Sequence, residues 1–186
     1  MNTIILTGGS NRRFGSDKSE EIIGNKNLLQ ILVSNLPASE LIIVGPRKDI
    51  PAIYVRETPL HSGPLAGIAA GVDVATEDLV AIYATDMPFA PKLLNQLLAV
   101  MTKDGAVPID EEGIIQPLCG VYRRERLKAA LATYLSFTHQ SVKSLMSKLD
   151  LNLVDVSNKE FLLDIDTRQD LEIAIQLQES LENLNG

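Results

Sequence analysis

Short, continuously apolar runs recur through the first half of the chain and alternate with segments long enough to form helices. The apolar runs are residues 3–6, Glu40–Val44, 52–55 and Leu79–Ala84, and the helical segments are residues 27–36, 63–75 and 91–101. Strands that are apolar at every position, instead of at every second position, are typical of a parallel sheet covered on both faces. The pattern therefore predicts a Rossmann-like α/β fold, with helices on both faces of a mostly parallel sheet in three layers.

The second half of the chain changes character but shows no linker, repeat or low-complexity tract, so we expect a single domain spanning residues 1–186. Strands are predicted at Gly105–Ile109, within 114–122, at 151–156 and at 161–165, and helices at 123–135, 141–149 and 167–184. Thr167 and Asp170 have capping-box spacing at the start of the last helix. The apolar stripe of that helix consists of Leu171, Ala174, Ile175, Leu181 and Leu184.

Composition narrows the class of protein. The chain has 17 Lys and Arg against 24 Asp and Glu, a net charge of −7, which argues against binding to duplex nucleic acid. One cysteine, Cys119, and two histidines, His61 and His139, are too few for a disulfide, a thiolate zinc cluster or a multi-histidine metal site. We see no signal peptide and no apolar run of about 18 residues, which predicts a cytoplasmic protein without a membrane span.

A glycine-rich loop with three basic residues follows the first strand. Gly8 and Gly9 allow close approach of the backbone to a ligand, and Arg12, Arg13 and Lys18 supply positive charge for phosphates. The loop matches neither the P-loop nor the G-x-G-x-x-G fingerprint of dinucleotide-binding proteins. A phosphate-binding loop is favoured, and a plain strand-to-helix turn with solvated charges remains the alternative.

Asp86 follows a fully apolar strand, so its carboxylate is predicted at the same sheet edge as the glycine loop. Mg²⁺ is held in proteins by one or two carboxylates together with substrate phosphates, which suits an Asp opposite a phosphate loop. The alternative is that Asp86 caps the next helix.

Small residues open the helix predicted at 63–75, in the segment Gly63-Pro64-Leu65-Ala66-Gly67. A helix N-terminus favours anions, and small residues leave room for a flat ring or a nearby backbone. Tight packing of Gly67, Ala70 and Gly71 on the sheet is the alternative explanation.

These segments together resemble the molybdenum cofactor guanylyltransferases, a MobA-like nucleotidyltransferase family. The resemblance covers nearly the whole chain, and the segments stand in family order. They are Thr7-Gly8-Gly9, Arg13, Gly15, Asp17-Lys18, Gly63 to Gly67, Asp86-Met87-Pro88, Gln116-Pro117, Ser141-Val142-Lys143 and Asp164-Ile165-Asp166-Thr167.

The resemblance implies transfer of GMP from GTP to molybdopterin, with release of pyrophosphate, to give the guanine dinucleotide form of the molybdenum cofactor. It implies Mg²⁺ held by Asp86, and phosphate contacts from Arg13 and Lys18. The implied GTP-binding residues are Leu6, Thr7, Gly8, Gly9, Lys18, Glu57, Gly63, Pro64 and Asp86. It further implies a nucleotide-binding half, about 1–104, and an acceptor-binding half, about 105–186, with Gln116, Pro117, Asp164 and Asp166 as acceptor residues.

The resemblance leaves alternatives open. These are the use of CTP, a sugar-phosphate acceptor, or a nucleotide- or cofactor-binding protein without turnover. Molybdoenzymes or other cofactor-biosynthesis proteins are the protein partners it implies; no nucleic acid or membrane partner is expected.

The chain departs from the family pattern near its last helix. Many members have Asn-x-Asn-Thr where this chain has Asp164-Ile165-Asp166-Thr167. Two extra carboxylates would repel a phosphate unless they bind metal. We interpret Asp164 as structural and Asp166 as a turn residue before Thr167, with metal binding as the alternative. Further departures are Thr7, in place of the usual Ala, and the polar residues Ser19-Glu20-Glu21.

Overall fold

A seven-stranded sheet with helices on both faces forms the body of the protein. The computed structural model describes residues 1–7, 21–138 and 140–185, with 184 and 185 described by their backbone only. The strands are β1 Asn2–Leu6, β2 Ile22–Ile23, β3 Lys26–Asn27, β4 Glu40–Val44, β5 Ile53–Val55, β6 Leu79–Ala84, β7 Gly105–Ile109, β8 Cys119–Arg123 and β9 Leu151–Asp155. The helices are α1 Leu28–Ser34, α2 Pro64–Val74, α3 Leu94–Val100, α4 Arg124–Leu131, α5 Val142–Met146 and α6 Arg168–Asn185, with 3₁₀ turns at Ala90–Leu93 and Lys159–Leu162.

The strand order places the predicted site at a topological switch point. The main sheet runs β5-β4-β1-β6-β8-β7-β9, and β2 pairs separately with β3. Only β8 is antiparallel to its neighbours in the main sheet. The chain winds outward from β1 through β4 to β5 and then returns to the other side of β1 as β6. Ligands of such sheets bind outside the carboxyl ends of the strands at this reversal, here between β1 and β6.

Successive residues of the central strands enter different hydrophobic clusters, which explains the uninterrupted apolar runs. Ile4 packs with Val72 of α2 in the cluster on one face, and Ile5 packs with Leu97 of α3 in the cluster on the other. Both isoleucines are fully buried, which stabilises the fold by roughly 1.5–3 kcal/mol each. The predicted three-layer α/β fold with a mostly parallel sheet is therefore confirmed.

The glycines of α2 bring that helix close to β1. A Cβ on Gly71 would lie 2.6 Å from a methyl carbon of Ile4, and one on Gly67 would lie 3.3 Å from Leu6. These contacts support the packing interpretation for Gly67 and Gly71. Because Gly67 meets the last residue of β1, the first turn of α2 lies at the carboxyl edge of the sheet.

The long last helix closes a third hydrophobic cluster against α1. Ala174 is buried there with Leu28 and Ile31, and Leu171, Ile175 and Leu181 pack around them. The predicted capping box is confirmed, because Asp170 accepts from the Thr167 N–H at 2.7 Å and donates its own N–H to the Thr167 hydroxyl at 3.2 Å. The side chain of Leu184, the remaining residue of the predicted stripe, is outside the described part.

The strand predicted at 161–165 is wrong. Lys159–Leu162 is a 3₁₀ turn, and residues 163–167 are irregular. The apolar pattern arises because the segment leaves the sheet and packs in two places: Leu162 enters the cluster that contains Ile5, and Ile165 enters the α6 cluster. A chain that alternately buries residues while crossing between two clusters resembles a strand in sequence.

Other predicted boundaries shift by a few residues. The helix predicted at 91–101 starts as the 3₁₀ turn Ala90–Leu93, and the helix predicted at 123–135 ends at Leu131. Cys119 is buried in β8, and burial raises the pKa of its thiol, so it is not a candidate nucleophile. None of the helices in the described residues is long and apolar enough to cross a membrane.

Candidate active site at the carboxyl edge of the sheet

Two buried threonines tie three strand ends together at the switch point. The Thr7 N–H and hydroxyl both donate to the Val44 carbonyl, at 3.0 and 3.2 Å, and link β1 to β4. The Thr85 hydroxyl donates to the Leu6 carbonyl at 2.8 Å and links β6 to β1. A buried hydrogen bond between elements restricts their relative movement. Asp86, the next residue, therefore projects from a fixed edge.

The chain before α6 is attached to the same edge. The Ile165 N–H donates to the Asp86 carbonyl at 2.9 Å, and the Ile165 side chain is 1% exposed. Asp164 and Asp166 flank this buried anchor and are themselves exposed. Because neighbouring side chains of an extended segment point to different sides, burying Ile165 turns both carboxylates outward.

Three carboxylates converge as a result. Oxygen atoms of Asp86, Asp164 and Asp166 all lie within 4.8 Å of one another. Hard divalent cations prefer such oxygen donors, and bringing three negative charges this close is costly without compensating positive charge. The donor set fits a divalent cation and gives Asp164 and Asp166 a position beyond the structural and turn roles that their sequence context favours.

The start of α2 supplies the opposite wall. Gly63 caps the helix with φ of 92°, a conformation that favours glycine, and Pro64 is the first helical residue. Both are exposed, and a Cβ on Gly63 would meet nothing within 4 Å. Gly63 thus differs from Gly67 and Gly71: it shapes the helix start and leaves the space beside it open.

Glu57 lies in the loop that leads to α2. Its Oε1 accepts from the His61 N–H at 2.9 Å, and its side chain is half-buried. This contact shapes the loop before Gly63 and occupies one carboxylate oxygen. A role for Glu57 in nucleotide binding stays a prediction.

Gln116 and Pro117 lie at the same edge, on the far side of β6. The Gln116 amide donates to Asp110 Oδ2 at 2.8 Å, and the Pro117 carbonyl accepts from the Tyr122 hydroxyl at 2.7 Å. Burial alone would raise the pKa of Asp110, but the Ile114 N–H, the Gln116 amide and the Glu112 N–H lower it overall. Gln116 is thus held by its own turn, and its contact with an acceptor stays a prediction.

The predicted phosphate loop lies outside the described residues. This covers Gly8, Gly9, Arg12, Arg13, Gly15, Asp17 and Lys18. Their roles remain predictions. The described part brings together Leu6, Thr7, Gly63 and Pro64 on one side of the switch point and Asp86, Asp164 and Asp166 on the other.

Sequence reasoning missed Thr85 and Gly45. A Cβ on Gly45 would fall on the Thr7 hydroxyl, so glycine allows β1 and β4 to finish side by side. A threonine immediately before Asp86, and a glycine directly after the second strand, were the available signals. Both residues have structural roles, so a search of the sequence for catalytic or binding motifs does not identify them.

Comparison with known proteins decides the family. Residues 3–153 match the MobA-like NTP transferase domain. The chain belongs to this family. Its nucleotidyltransferase class follows from that membership. A relative from Carboxydothermus hydrogenoformans, named probable molybdenum cofactor guanylyltransferase, is 27% identical over 95% of this chain and 96% of its own. One of the same name from Natronomonas pharaonis is 30% identical over 92% of this chain and 95% of its own.

Solved structures agree on the fold of this MobA-like chain. Molybdopterin-guanine dinucleotide biosynthesis protein A from Archaeoglobus fulgidus has a TM-score of 0.78 at 20% identity, with 97% of this chain and 100% of that chain covered. A 2-C-methyl-D-erythritol 4-phosphate cytidylyltransferase from Thermus thermophilus has a TM-score of 0.70 at 18% identity, covering 94% and 97%. The architecture is thus shared with proteins named for different nucleotides.

Proposed function

We propose that this MobA-like protein transfers GMP from GTP to molybdopterin and releases pyrophosphate, which forms the guanine dinucleotide cofactor. The observation that carries the proposal is the convergence of Asp86, Asp164 and Asp166 at the switch point between β1 and β6. The names of full-length relatives support the choice of nucleotide and acceptor.

The bond changes are those of nucleotidyl transfer. A phosphate oxygen of molybdopterin forms a bond to the α-phosphorus of GTP. The bond from that phosphorus to the bridging α–β oxygen breaks, and pyrophosphate leaves with the electron pair. The attacking phosphate is already ionised near neutral pH, because its second pKa is about 6. The chain therefore needs positioning and charge compensation more than a general base.

Asp86, Asp164 and Asp166 would hold a divalent cation, and Mg²⁺ is the ion that we propose. Their three carboxylates supply the oxygen donors that this ion prefers. When bound, Mg²⁺ supplies positive charge that offsets the charge of the triphosphate and the leaving pyrophosphate.

The other substrate contacts would come from residues around the carboxyl edge of the sheet. Backbone groups of Leu6, Thr7, Gly8 and Gly9 would enclose the nucleotide, and Arg13 and Lys18 would clamp its phosphates. Gly63, Pro64 and Glu57 would line the nucleotide side, whereas Gln116 and Pro117 would contact the acceptor.

On this proposal residues 1–104 form the nucleotide half and residues 105–186 the acceptor half. A cytoplasmic location, and transfer of the product to a molybdoenzyme or another cofactor-biosynthesis protein, accompany the proposal as predictions.

The direct test is turnover by the purified full chain. With MgCl₂, GTP and molybdopterin, we expect stoichiometric pyrophosphate and the guanine dinucleotide, measured by chromatography and mass spectrometry. Omitting the divalent cation should stop both. Pyrophosphate release without dinucleotide would contradict the acceptor, and no product with any nucleoside triphosphate would contradict the enzyme.

A second candidate is the same chemistry with CTP. The observation that favours it is the Asp164-x-Asp166 pattern, which resembles that of the related cytidylyltransferase of the molybdenum cofactor. Thermal unfolding with GTP, CTP, UTP and ATP, each with Mg²⁺, separates the candidates. Stabilisation by CTP alone, followed by a cytosine dinucleotide product, would replace the guanine assignment and keep the carboxylate site.

A further inference from the structure

An open groove is lined by α6, the 3₁₀ turn Lys159–Leu162 and the turn that follows β7. Its volume is about 780 Å³, and the proposed reaction does not use it. Leu162 belongs to the hydrophobic cluster of α3, whereas Leu163 and Leu177 pack against the cluster of α6. The groove therefore follows the seam between two hydrophobic clusters.

The last helix presents a second side to this groove. The residues of α6 that line the groove are Ile173, Gln176, Leu177 and Ser180. Their spacing places them on one face of the helix, beside the stripe that packs in the α6 cluster. The Ile173 side chain is 45% exposed. A single exposed isoleucine is ordinary, but this one borders an apolar groove and extends its apolar surface.

The charges around the groove are strongly unbalanced. Among the described residues, the lining carboxylates are Asp110, Glu111, Glu112 and Glu160, and the lining ammonium group is that of Lys159. Lys159 Nζ lies 3.0 Å from Asp155 Oδ1 and donates to the Asp110 carbonyl at 3.1 Å, so its charge is already paired. A phosphate, a nucleotide or an anionic lipid would be repelled here, whereas a cationic group would be attracted.

A rigid turn holds two of these carboxylates in place. Asp110 Oδ1 accepts from the N–H groups of Glu112 and Ile114 at 3.0 and 2.8 Å, and Oδ2 accepts from the Gln116 amide at 2.8 Å. The side chains of Glu111 and Glu112 are exposed and have neither a hydrogen bond nor an ion pair with the described residues. Their charges are thus available to a ligand on a backbone that is already ordered.

We propose that this groove docks a basic amphipathic segment of a partner protein. Apolar side chains of the segment cover Leu163 and Ile173, and its lysine or arginine side chains pair with Glu111 and Glu112. This is the helix-in-groove mode of recognition, with charges that fix the orientation.

The groove adjoins the acceptor side of the carboxyl edge. Leu163 lines the groove and immediately precedes Asp164, and the turn at Asp110 also holds Gln116. A partner docked here therefore lies beside the proposed acceptor half. That this partner supplies the acceptor or receives the product rests on the proposed function, whereas the docking chemistry does not.

A synthetic peptide of leucine and lysine at helical spacing, about 18 residues long and labelled with fluorescein, is the probe. Fluorescence anisotropy with the full chain, without nucleotide or molybdopterin, should show saturable binding. Raising NaCl from about 50 to about 300 mM should weaken the binding by about 10-fold, because exposed charges are screened. A peptide with glutamate in place of lysine should not bind, and one with serine in place of leucine should bind about 10-fold more weakly.

Paired charge variants locate the acidic contact. Glu111→Gln combined with Glu112→Gln should raise the dissociation constant by about 5- to 10-fold. Asp49→Asn combined with Asp78→Asn is the matched control, because both residues are exposed, lie outside the groove and change the net charge equally. The control should leave the dissociation constant within about twofold of the wild-type value.

A second pair of variants locates the apolar contact. Ile173→Ser should raise the dissociation constant by about 5- to 10-fold, because an apolar side chain is lost from the docking surface. Leu153→Ser, at an exposed leucine on β9 that does not line the groove, should leave it unchanged. Circular dichroism checks that each variant is folded.

The position of the bound peptide is read from backbone amide chemical shifts of the ¹⁵N-labelled chain. We expect the peptide to shift residues 110–114 and 173–180. Absence of saturable binding, equal losses in the control variants, or undiminished binding of the serine peptide would each overturn the proposal. So would shifts confined to Asp86, Asp164 and Asp166, which would place the peptide at the cation site, or self-association of the free chain that Ile173→Ser abolishes, which would make a second copy the occupant. Because no turnover is measured, a failure of docking leaves the proposed reaction untouched, and a failure of the reaction leaves docking untouched.

Discussion

The two edges of the central sheet carry similar polar residues but arrange them differently. At the amino edge, Asn2 accepts the N–H groups of Thr76 and Glu77 at 2.9 and 2.8 Å, and donates to Glu40 at 2.8 Å. Asp104 accepts from Arg126 at 2.8 Å. At this edge, acceptors and donors from neighbouring strands and loops satisfy one another.

The carboxyl edge instead gathers like charges. Thr7 and Thr85 fix the backbone, and beyond them Asp86, Asp164 and Asp166 converge to within 4.8 Å. Close carboxylates repel one another, so this arrangement costs folding free energy unless positive charge is supplied. The difference teaches that the polar residues of the amino edge stabilise the fold, whereas the three carboxylates of the carboxyl edge form an oxygen donor set that fits a divalent cation.

Asp86→Asn is expected to have the largest effect, and it tests whether the carboxyl edge is the functional one. The amide keeps the shape but removes a charge from the proposed cation site, so we expect kcat/KM for GTP to fall by about 1,000-fold with little change in Tm. Asp150→Asn is the control at the amino edge, where Asp150 pairs with Lys103 at 2.8 Å. Activity that survives Asp86→Asn, or that falls equally in the control, would remove the functional distinction between the edges.

Gly45→Ala should damage the scaffold of the carboxyl edge. The new Cβ would fall on the Thr7 hydroxyl, so the free energy of unfolding should drop by about 2–4 kcal/mol in urea denaturation. Gly113→Ala separates overlap from backbone strain, because Gly113 has φ of 77° and nothing within 4 Å. Gly113→Ala should lower the free energy of unfolding by only about 1 kcal/mol. Equal losses in the two variants would show that Thr7 is not the obstacle.

Replacing both Asp164 and Asp166 with asparagine tests the share of these residues in the cation site. The variant restores the amide pattern of the resembled family and keeps oxygen donors while removing two charges. We expect turnover to persist, with the Mg²⁺ concentration for half-maximal activity raised by about 10-fold. Asp155→Asn, at an exposed carboxylate paired with Lys159, is the control. An unchanged Mg²⁺ requirement would indicate that Asp164 and Asp166 have structural roles only.

The smallest effect is expected from the paired carboxylate of the amino edge. The Arg126 side chain, then the Asp150 N–H, hold the pKa of Asp104 below its usual range. A carboxyl group with a lowered pKa in the folded state stabilises the protein above its unfolded pKa, about 3.9, and loses that contribution as the pH falls through the folded pKa. Urea unfolding at pH 7 and near pH 3 should show a smaller acid-induced loss of stability for Asp104→Asn than for wild type.

Arg126→Gln supplies the matched variant for this pair. It removes the cation that lowers the pKa of Asp104, so it should also flatten the pH dependence in the acid range. If the free energy of unfolding of either variant falls with decreasing pH as steeply as that of the wild type, the Asp104–Arg126 pair contributes nothing to stability in acid.

The sequence predicted the fold better than it predicted the site. Glu40–Val44, Leu79–Ala84 and Gly105–Ile109 were predicted with the observed bounds, because strands buried on both faces must be apolar at every position. The strand predicted at 161–165 is wrong, because Leu162 and Ile165 are buried in two different clusters without belonging to a strand. Periodicity reports which residues are buried but not which surface buries them.

The sequence by itself therefore determined the layered α/β class, the placement of Asp86 at the carboxyl edge of the sheet, and a capping box at Thr167. Only the tertiary structure decided that Asp164 and Asp166 join Asp86, because a hydrogen bond from Ile165 to Asp86 closes 79 residues of chain. The tertiary structure also decided that Gly67 and Gly71 allow α2 to pack closely on β1, whereas Gly63 leaves open space beside the start of α2 at the candidate site. Contacts between distant segments depend on how layers dock, and no local pattern of residues encodes that docking.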